Sequence, residues 1–308
     1  MRVAVPDLIS NSYFPVVASV VLGACREEGL NCTIELISPL NDCVKALLDG
    51  KVDFVGVSAH APLLAFPSWR GVRLLCAQSQ GLYWLLVMRK ELGIGRGDLA
   101  ALKGKRIAAV PFVGAALRRI LIAAGLSLES AGIEIVVPDA ARRPGVNFGL
   151  AATDALREGT IDGFFANGVG AERAIFEQIG TLVLDIRRGD EPRVAFGYTM
   201  PAVAATEQLI ETQPSYAAAM IRAVVKTQKW LKVDPKLATE VGRVLFPALE
   251  ADLIAHVVKR DLPFYNAALP EPAIAKMNQF ARDVGLLQGS LSYDKVVASR
   301  FRTLWDAH

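Results

Sequence analysis

The sequence lacks the motifs that would assign a reaction directly. It contains only 3 histidines and 4 cysteines among 308 residues. No CxxC pair and no histidine near a cysteine occurs, which leaves no predicted metal site. The GxSxG, P-loop and HExxH patterns are also missing. We therefore predict no catalytic residue, no metal and no cofactor from motifs alone.

Neither basic nor acidic residues are in large excess. The 34 basic and 31 acidic residues leave a net charge of +3, and no basic cluster is interleaved with aromatic residues. A nucleic acid is therefore not a predicted partner. No apolar run reaches the ~18 residues of a membrane span. The length and a hydrophobic content of 52% predict one large or two medium domains with a full core, and a small-molecule ligand. We expect a monomer.

The beginning of the chain and its thiols bear on the compartment. The opening MRVAVPDLISNSYF is typical of a strand and a turn rather than an export signal. Either the protein is cytoplasmic, or it is periplasmic and a signal has been removed. The four cysteines are expected to be free, mostly buried thiols, which favours a reducing compartment. They are Cys25, Cys32, Cys43 and Cys76.

One stretch of sequence occurs twice. ALLDGKVDFVGVSAHAP, residues 46–62, is followed a little over a hundred residues later by ALREGTIDGFFANGVGA, residues 155–171. Each copy predicts a helix, an aspartate, a buried strand and a small polar turn. Asp53 and Asp162 precede their strands and are predicted to be structural. Ser58 and Asn167 follow the strands at equivalent positions.

The repeat extends to the elements around these stretches. The order β-α-β-α-β begins at RVAVPDLIS and again at KRIAAVPFVG. Alternating strands and helices predict parallel sheets covered on both faces, one in each of two lobes. Ligands of open α/β sheets bind beyond the carboxyl ends of the strands. We therefore expect both polar turns to face a cleft shared by the lobes.

Two apolar stretches are predicted to connect the lobes. They are QSQGLYWLLVMRKELGI, residues 78–94, and EPRVAFGYTMPAVAAT, residues 191–206. Beyond the second stretch, apolar residues recur at intervals of three and four, which predicts helices. The predicted lobe I is residues 1–85 plus 198–308, and lobe II is residues 86–197.

Three segments together resemble a known family. SYFPVVASVVLGACREEGLNCTIEL, ALLDGKVDFVGVSAHAPLLAF and LKGKRIAAVPFVGAALRRIL are similar to type II periplasmic solute-binding proteins of ABC importers. The similar branch binds nitrate, sulfonate, taurine or thiamine-pyrimidine precursors, and the resemblance covers essentially the whole chain. It implies an α/β fold with two mixed sheets flanked by helices and a cleft between the lobes. It also implies hinge closure and an ABC permease as partner.

The first lobe offers two turns as candidate ligand contacts. SNSYFP follows the first strand, and the resemblance implies that Asn11, Ser12 and Tyr13 line the cleft; the alternative is an ordinary helix cap. Ser58 and His60 lie in the turn SAHAP, where a histidine either contacts ligand or makes a structural hydrogen bond. Tyr198, beside the return connection, is a further candidate.

The second lobe offers less polar candidates. Its entry turn VPFVGAALRR carries Phe112 and Gly114, where relatives that bind oxyanions are richer in Ser, Thr and Gly. This departure disfavours a sulfonate or nitrate ligand and favours a flat, less polar ligand on which Phe112 stacks, unless Phe112 packs beneath the loop. Asn167 can donate and accept hydrogen bonds. Tyr83 and Trp84 contact ligand or anchor the core.

Three functions remain open from sequence. The first is a solute-binding protein that closes on its ligand. The second is a cytoplasmic enzyme on the same fold, a decarboxylase, lyase or thiamine-pyrimidine-synthase-like enzyme with His60 as general acid or base. In a desulfinase of this fold the turn after the first strand carries the nucleophilic cysteine, and Ser12 stands about there. A ligand-sensing regulator is disfavoured, since no helix-turn-helix precedes the lobes.

Arg142 and Arg143, in the loop PDAARRPGVNFG, either close over a carboxylate or are solvated.

Overall fold

The structure, a computed structural model, describes residues 1–143 and 145–306. Pro144 of the basic loop and the last two residues lie outside the described part. The chain divides into two compact units. The first comprises Met1–Gly81 and Gly197–His308, and the second comprises Leu82–Phe196.

Strands and helices alternate through most of the chain. The strands are β1 (Arg2–Val5), β2 (Thr33–Leu36), β3 (Phe54–Ser58), β4 (Val72–Ala77), β5 (Leu85–Arg89), β6 (Arg106–Ala108), β7 (Glu134–Val136), β8 (Gly163–Ala166), β9 (Gly180–Leu184) and β10 (Pro201–Thr206). The helices are α1 (Phe14–Val21), α2 (Ala24–Glu27), α3 (Leu40–Leu48), α4 (Pro111–Ala123), α5 (Leu128–Ala131), α6 (Phe148–Arg157), α7 (Gly168–Phe176), α8 (Glu207–Thr212), α9 (Pro214–Val233), α10 (Leu237–Leu245), α11 (Ala248–Asp261) and α12 (Glu271–Asp283).

Each unit is built on one five-stranded sheet, and the two sheets have the same topology. The first unit has the order β2-β1-β3-β10-β4, and the second has β7-β6-β8-β5-β9. The pairs β1–β2, β1–β3, β6–β7 and β6–β8 are parallel. The expected α/β fold with mixed sheets and flanking helices is confirmed, and so is the repeat.

The repeat by itself predicts parallel strands, but each sheet also contains one antiparallel strand, in line with the mixed sheets that the resemblance implies. In the first sheet β10 runs antiparallel to β3 and β4, and in the second sheet β5 runs antiparallel to β8 and β9. Each of these strands starts at the carboxyl edge: Pro201 pairs with Ser58, and Leu85 pairs with Ala166. Because the chain enters each sheet at that edge, its strand must run in the opposite direction to the neighbours.

The repeated aspartates hold the amino edges of the two sheets. Asp53 Oδ2 accepts a hydrogen bond of 2.6 Å from the backbone N–H of Arg2, and Asp162 Oδ2 accepts one of 2.9 Å from that of Arg106. The backbone N–H of each aspartate also donates to the carbonyl of the same arginine. Both carboxylates therefore join the central strand to its neighbour, which confirms their structural role.

The core of the first unit forms where helix α1 packs on strand β3. All five residues of β3 are buried. A Cβ on Gly56 would lie 2.7 Å from Val16 Cγ1, so glycine is required for this close approach. Buried Gln78 ties the same layers together, since its Oε1 accepts from Val16 N–H at 3.1 Å and its Nε2 donates to the Ala202 carbonyl at 3.1 Å.

Candidate functional site

A buried polar turn connects β1 to α1 at the carboxyl edge of the first sheet. The four residues from Ser10 to Tyr13 are buried. The Ser12 N–H donates to Ser10 Oγ at 3.0 Å, and the Phe14 N–H donates to the Asn11 carbonyl at 3.4 Å. No side chain caps α1, whose N-cap residue is Tyr13. The helix-cap alternative for Asn11 and Ser12 is therefore not realised.

The hydroxyl of Ser12 stands out in this turn. The residue is only 3% exposed, and its Oγ has no hydrogen-bond partner among the described residues. A buried hydroxyl without a partner costs about 1–3 kcal/mol. Such a group next to a helix N-terminus is well suited to bind a polar ligand atom.

Asn11 is anchored by a residue that the sequence did not indicate. Its Nδ2 donates to Asp261 Oδ2 at 2.5 Å, and both side chains are buried. Asp261 is the last residue of α11 and lies 250 positions further along the chain. Only the tertiary structure brings this carboxylate to the turn, where it orients the Asn11 amide.

The loop after β3 brings His60 and Tyr198 together. Ser58 ends β3, and the following Ala59 N–H donates to the Met200 carbonyl at 2.7 Å. The His60 Nδ1 lies 2.9 Å from Thr199 Oγ1. The His60 ring meets Phe280 edge to face at a centroid distance of 5.2 Å, and the Tyr198 ring stacks on Phe280 at a centroid distance of 4.6 Å. Thr199 and Phe280 were not predicted from sequence.

Burial determines the charge of His60. The residue is 1% exposed, and desolvation lowers the pKa of its imidazole to about 3. The ring is therefore neutral at pH 7, with one nitrogen that donates and one that accepts. It is suited to neutral hydrogen bonding, and it is a weak base for proton abstraction at that pH.

The second unit carries an aromatic cluster at the carboxyl edge of its own sheet. We define this aromatic cluster as Tyr83, Trp84, Phe112 and Phe165. Trp84 lies at its centre, with ring centroids 5.0 Å from Tyr83, 6.4 Å from Phe112 and 6.0 Å from Phe165. The guanidinium carbon of Arg187 lies 5.7 Å from the Tyr83 ring centroid. Arg187 follows β9 and is buried, and sequence reasoning missed it.

Asn167 and Gly114 belong to helix starts in the second unit. The Asn167 Oδ1 accepts from the Val169 N–H at 3.1 Å and from the Gly170 N–H at 3.5 Å, which caps α7. Helix α4 begins with Pro111 and has no side-chain cap. A Cβ on Gly114 would lie 3.2 Å from Ile135 Cγ2, so Gly114 permits α4 to pack closely against β7.

The basic loop and candidate metal ligands add nothing to this site. Arg142 is exposed and lies 3.6 Å from Asp139, its i,i+3 neighbour, and Arg143 is exposed. Within residues 1–143 and 145–306, no three His, Cys, Asp or Glu side chains are grouped so as to hold a metal ion. No helix in this part of the chain combines the length and apolarity needed to cross a bilayer.

Comparison with known proteins identifies the fold. No sequence profile of a known family matches the chain, and no curated protein matches it in sequence. Solved structures do match over almost the whole chain. The periplasmic nitrate-binding protein NrtA from Synechocystis PCC 6803 has a TM-score of 0.74 at 14% identity, covering 97% of this chain and 86% of that one.

Two other structures broaden the comparison. The periplasmic aliphatic sulphonate-binding protein SsuA from Escherichia coli has a TM-score of 0.67 at 15% identity, covering 96% of this chain and 91% of that one. A cysteine-to-serine mutant of DSZB in complex with biphenyl-2-sulfinic acid has a TM-score of 0.67 at 16% identity, covering 98% of this chain and 97% of that one. DSZB is a desulfurization enzyme. The chain therefore has the α/β fold shared by these periplasmic binding proteins and this enzyme, as the resemblance implied.

Proposed function

We propose that the protein is the solute-binding component of an ABC-type importer and that it binds a small organic, planar or carboxylated molecule. The observation that carries this proposal is the Ser12 hydroxyl, which is buried at the carboxyl edge of the first sheet without a hydrogen-bond partner among the described residues. A ligand acceptor or donor at this position satisfies the hydroxyl. The proposal implies a periplasmic location and a permease as partner.

The surroundings of Ser12 in the first unit support a binding role. Asn11 is oriented by Asp261, and His60 is held between Thr199 and Phe280. Side chains that are fixed in advance lose little entropy when a ligand binds. We propose that Tyr13, Ser58 and Tyr198 complete the ligand contacts of this unit.

The second unit supports a flat ligand. Its aromatic cluster offers ring faces and edges for stacking, and Arg187 contributes positive charge beside Tyr83. We propose that Tyr83, Phe112, Gly114 and Asn167 contact the ligand on this side. The nitrate- and sulphonate-binding relatives in fold support an anionic group on the ligand. Hinge closure stays a prediction.

An enzyme on the same fold is the second candidate, favoured by the likeness to DSZB. Two features argue against it. The turn after β1 carries Ser12, and no cysteine stands between β1 and α1. The pKa of His60 is lowered to about 3 by burial, which makes it a poor general base at neutral pH.

A thermal-shift screen with aromatic carboxylates, sulfonates, pyrimidines and amides tests the proposal. A ligand at a concentration a hundredfold above its Kd stabilises the folded protein by about 2.7 kcal/mol, which raises the Tm of a 308-residue chain by about 4 °C. The ligand should be recovered unaltered by mass spectrometry. Its conversion to a product, lost in His60→Gln, would establish the enzyme instead.

Ser12→Ala tests the site itself. Loss of one buried hydrogen bond of about 1.5 kcal/mol should weaken binding of the ligand about tenfold, while the ligand-free Tm stays the same or rises. Ser215→Ala is the matched control, because Ser215 is exposed in α9 of the same unit. Equal affinities of the Ser12→Ala and Ser215→Ala variants for the ligand in titration calorimetry would show that Ser12 does not contact the ligand.

A further inference from the structure

A cavity opens at the amino edge of the second sheet, at the end of the strands away from the aromatic cluster. Its volume is about 540 Å³, which is within the range of about 300–1,000 Å³ for small-molecule sites. It lies where β5 leaves the sheet, and there the Lys90 N–H donates to the Ile179 carbonyl at 2.8 Å. Both residues line the cavity, and all of its lining belongs to the second unit.

The first unit has a smaller cavity at the equivalent position, where β10 leaves the first sheet. The Glu207 N–H donates to the Gly71 carbonyl at 2.9 Å there, so Glu207 corresponds to Lys90. This cavity has a volume of about 190 Å³. The Arg73 guanidinium in its wall is ion-paired with Glu207 and donates from Nε to the Asp294 carbonyl at 3.0 Å. The first unit thus satisfies its own arginine.

The corresponding cations of the second unit are poorly compensated. Lys90 stands where the first unit has an acid, and its ammonium group has no ion pair among the described residues. The neighbouring Arg89 also lines the cavity, and its Nη2 lies 3.4 Å from Asp162 Oδ1. That distance exceeds the ~2.7–2.9 Å of a strong charged hydrogen bond. Two adjacent positive charges of this kind attract an anionic group.

Carboxylates in the same lining favour a ligand that also carries a positive charge. Glu91 and Glu158 line the cavity, and neither has an ion-pair partner in the part of the chain that the structure describes. Arg157, the third cation of the lining, is already paired with Asp154 and Glu177. Two cations and two carboxylates therefore remain for a ligand, and a zwitterion is complementary to both.

The conformation of Gln178 indicates that its side chain has a use in this cavity. Gln178 follows α7 with a φ of +58°, whereas glycine occupies the same position after α3, α4, α6 and α12. Glycine is more stable than glutamine in this left-handed conformation, and strain of this kind is concentrated at ligand sites. The exposed Gln178 amide lines the cavity, and it can donate to a carboxylate or accept from an ammonium group.

We propose that this cavity is a second binding site, and that it takes an α-amino acid with an aliphatic side chain. Arg89 and Lys90 bind the carboxylate of the amino acid. Glu91 and Glu158 bind its ammonium group, and the aliphatic part packs on the half-buried Ile179. The site is independent of the proposed function, because it lies at the opposite edge of the second sheet from the aromatic cluster.

Ligand-observed NMR titration of the full chain tests the charge pattern. The probes are L-leucine, isocaproate, which lacks the amino group, and isoamylamine, which lacks the carboxylate. L-leucine should bind with a Kd below about 10 mM. Each analogue should bind at least about tenfold more weakly, because each loses a charged hydrogen bond. Absence of leucine binding, or an analogue that binds as well as leucine, would overturn the proposal.

A charge reversal locates the bound leucine. Lys90→Glu gives the second unit the acid that the first unit has at Glu207, and it should weaken leucine binding at least about tenfold. Lys103→Glu is the matched control, because Lys103 is exposed in the same unit and does not line the cavity. Equal affinity of the two variants for leucine would contradict the site.

Two further variants separate this site from a structural role and from the first unit. Gln178→Gly should weaken leucine binding about threefold or more while it raises the Tm of the ligand-free protein, a combination that a structural residue would not give. Unchanged leucine affinity in Gln178→Gly would count against the site. Ser12→Ala should bind leucine as the wild type does. Leucine binding that is lost in Ser12→Ala and kept in Lys90→Glu would place leucine in the first unit and overturn the proposal.

Discussion

The contact between α6 and α7 positions Asn167, and it gives a sharp test of the second unit. A Cβ on Gly170 would lie 2.7 Å from the carbonyl oxygen of Gly149 and 2.9 Å from its Cα. These are backbone atoms, and they are held because Thr153 Oγ1 donates to the carbonyls of Gly149 and Gly170 at 2.9 Å and 3.0 Å. Gly170→Ala must therefore push the two helices apart.

Two opposing effects set the change in the free energy of unfolding that Gly170→Ala should cause. Overpacking a tight contact costs about 1–3 kcal/mol, while replacing a helical glycine by alanine gains about 0.5–1 kcal/mol. We expect Gly170→Ala to lower the free energy of unfolding by about 1–2 kcal/mol. Gly149→Ala should lower the free energy of unfolding by less. Its Cβ would lie 3.3 Å and 3.4 Å from the Oδ1 atoms of Asn147 and Asn167 and 3.5 Å from the Gly170 Cα.

Guanidinium unfolding followed by circular dichroism measures the difference. Gly95→Ala is the control in the same unit, since a Cβ there would meet nothing within 4 Å, and it should change stability by no more than about 0.5 kcal/mol. Equal denaturation midpoints for Gly170→Ala and Gly95→Ala would contradict the close contact between α6 and α7. They would also contradict the position of Asn167 that depends on this contact.

Three further predictions concern stability. Asp53→Ala and Asp162→Ala should each lower the free energy of unfolding by about 1.5 kcal/mol in urea titrations, because each removes a charged acceptor of a backbone N–H; equal stability to wild type would refute the paired structural role. The pKa of His60 is about 3 in the folded protein and ordinary when unfolded, so the unfolded state binds the extra proton. Stability due to the neutral ring is full above pH 6.5 and should fall by up to about 1.4 kcal/mol per pH unit between pH 6.5 and pH 3; a urea titration of His60→Gln should lack this slope, and an unchanged slope would contradict the assignment. Gln178 has a φ of +58°, so Gln178→Gly should stabilise by about 0.5–1 kcal/mol in thermal melts, whereas Gln178→Ala should not.

The repeated stretch explains how much of the fold was predictable. Its aspartates and buried strands follow local patterns, so the sequence predicts both sheets and the edge at which Ser58 and Asn167 lie. The direction of β5 and β10 depends on where the chain enters each sheet, which no local pattern encodes. The same limit applies to the site. Asn11 and His60 lie at predicted turns, but the side chains that contact them, Asp261 and Phe280, come from helices 250 and 220 residues further along the chain.

The two copies of the stretch use their polar residue differently. In the first unit the Ser58 turn leads into His60, whose ring is held by Thr199. In the second unit Asn167 caps α7 with its Oδ1. An aspartate caps a helix as well as an asparagine does, so Asn167→Asp preserves the structure and adds one negative charge.

This equivalence separates a structural role of Asn167 from ligand binding. If the proposed ligand carries a carboxylate or sulfonate near Asn167, Asn167→Asp should weaken its binding at least about tenfold by charge repulsion, with the Tm of the ligand-free protein unchanged. Asn167→Ala should instead lose about 1 kcal/mol of stability with the cap. Ser127→Asp is the matched control, because Ser127 caps α5 on the exposed surface of the same unit, with its Oγ 3.4 Å from the Ser130 nitrogen. Equal affinity of the two aspartate variants for an anionic ligand, measured by calorimetry, would reduce Asn167 to a helix cap and assign the choice of ligand to the other turns.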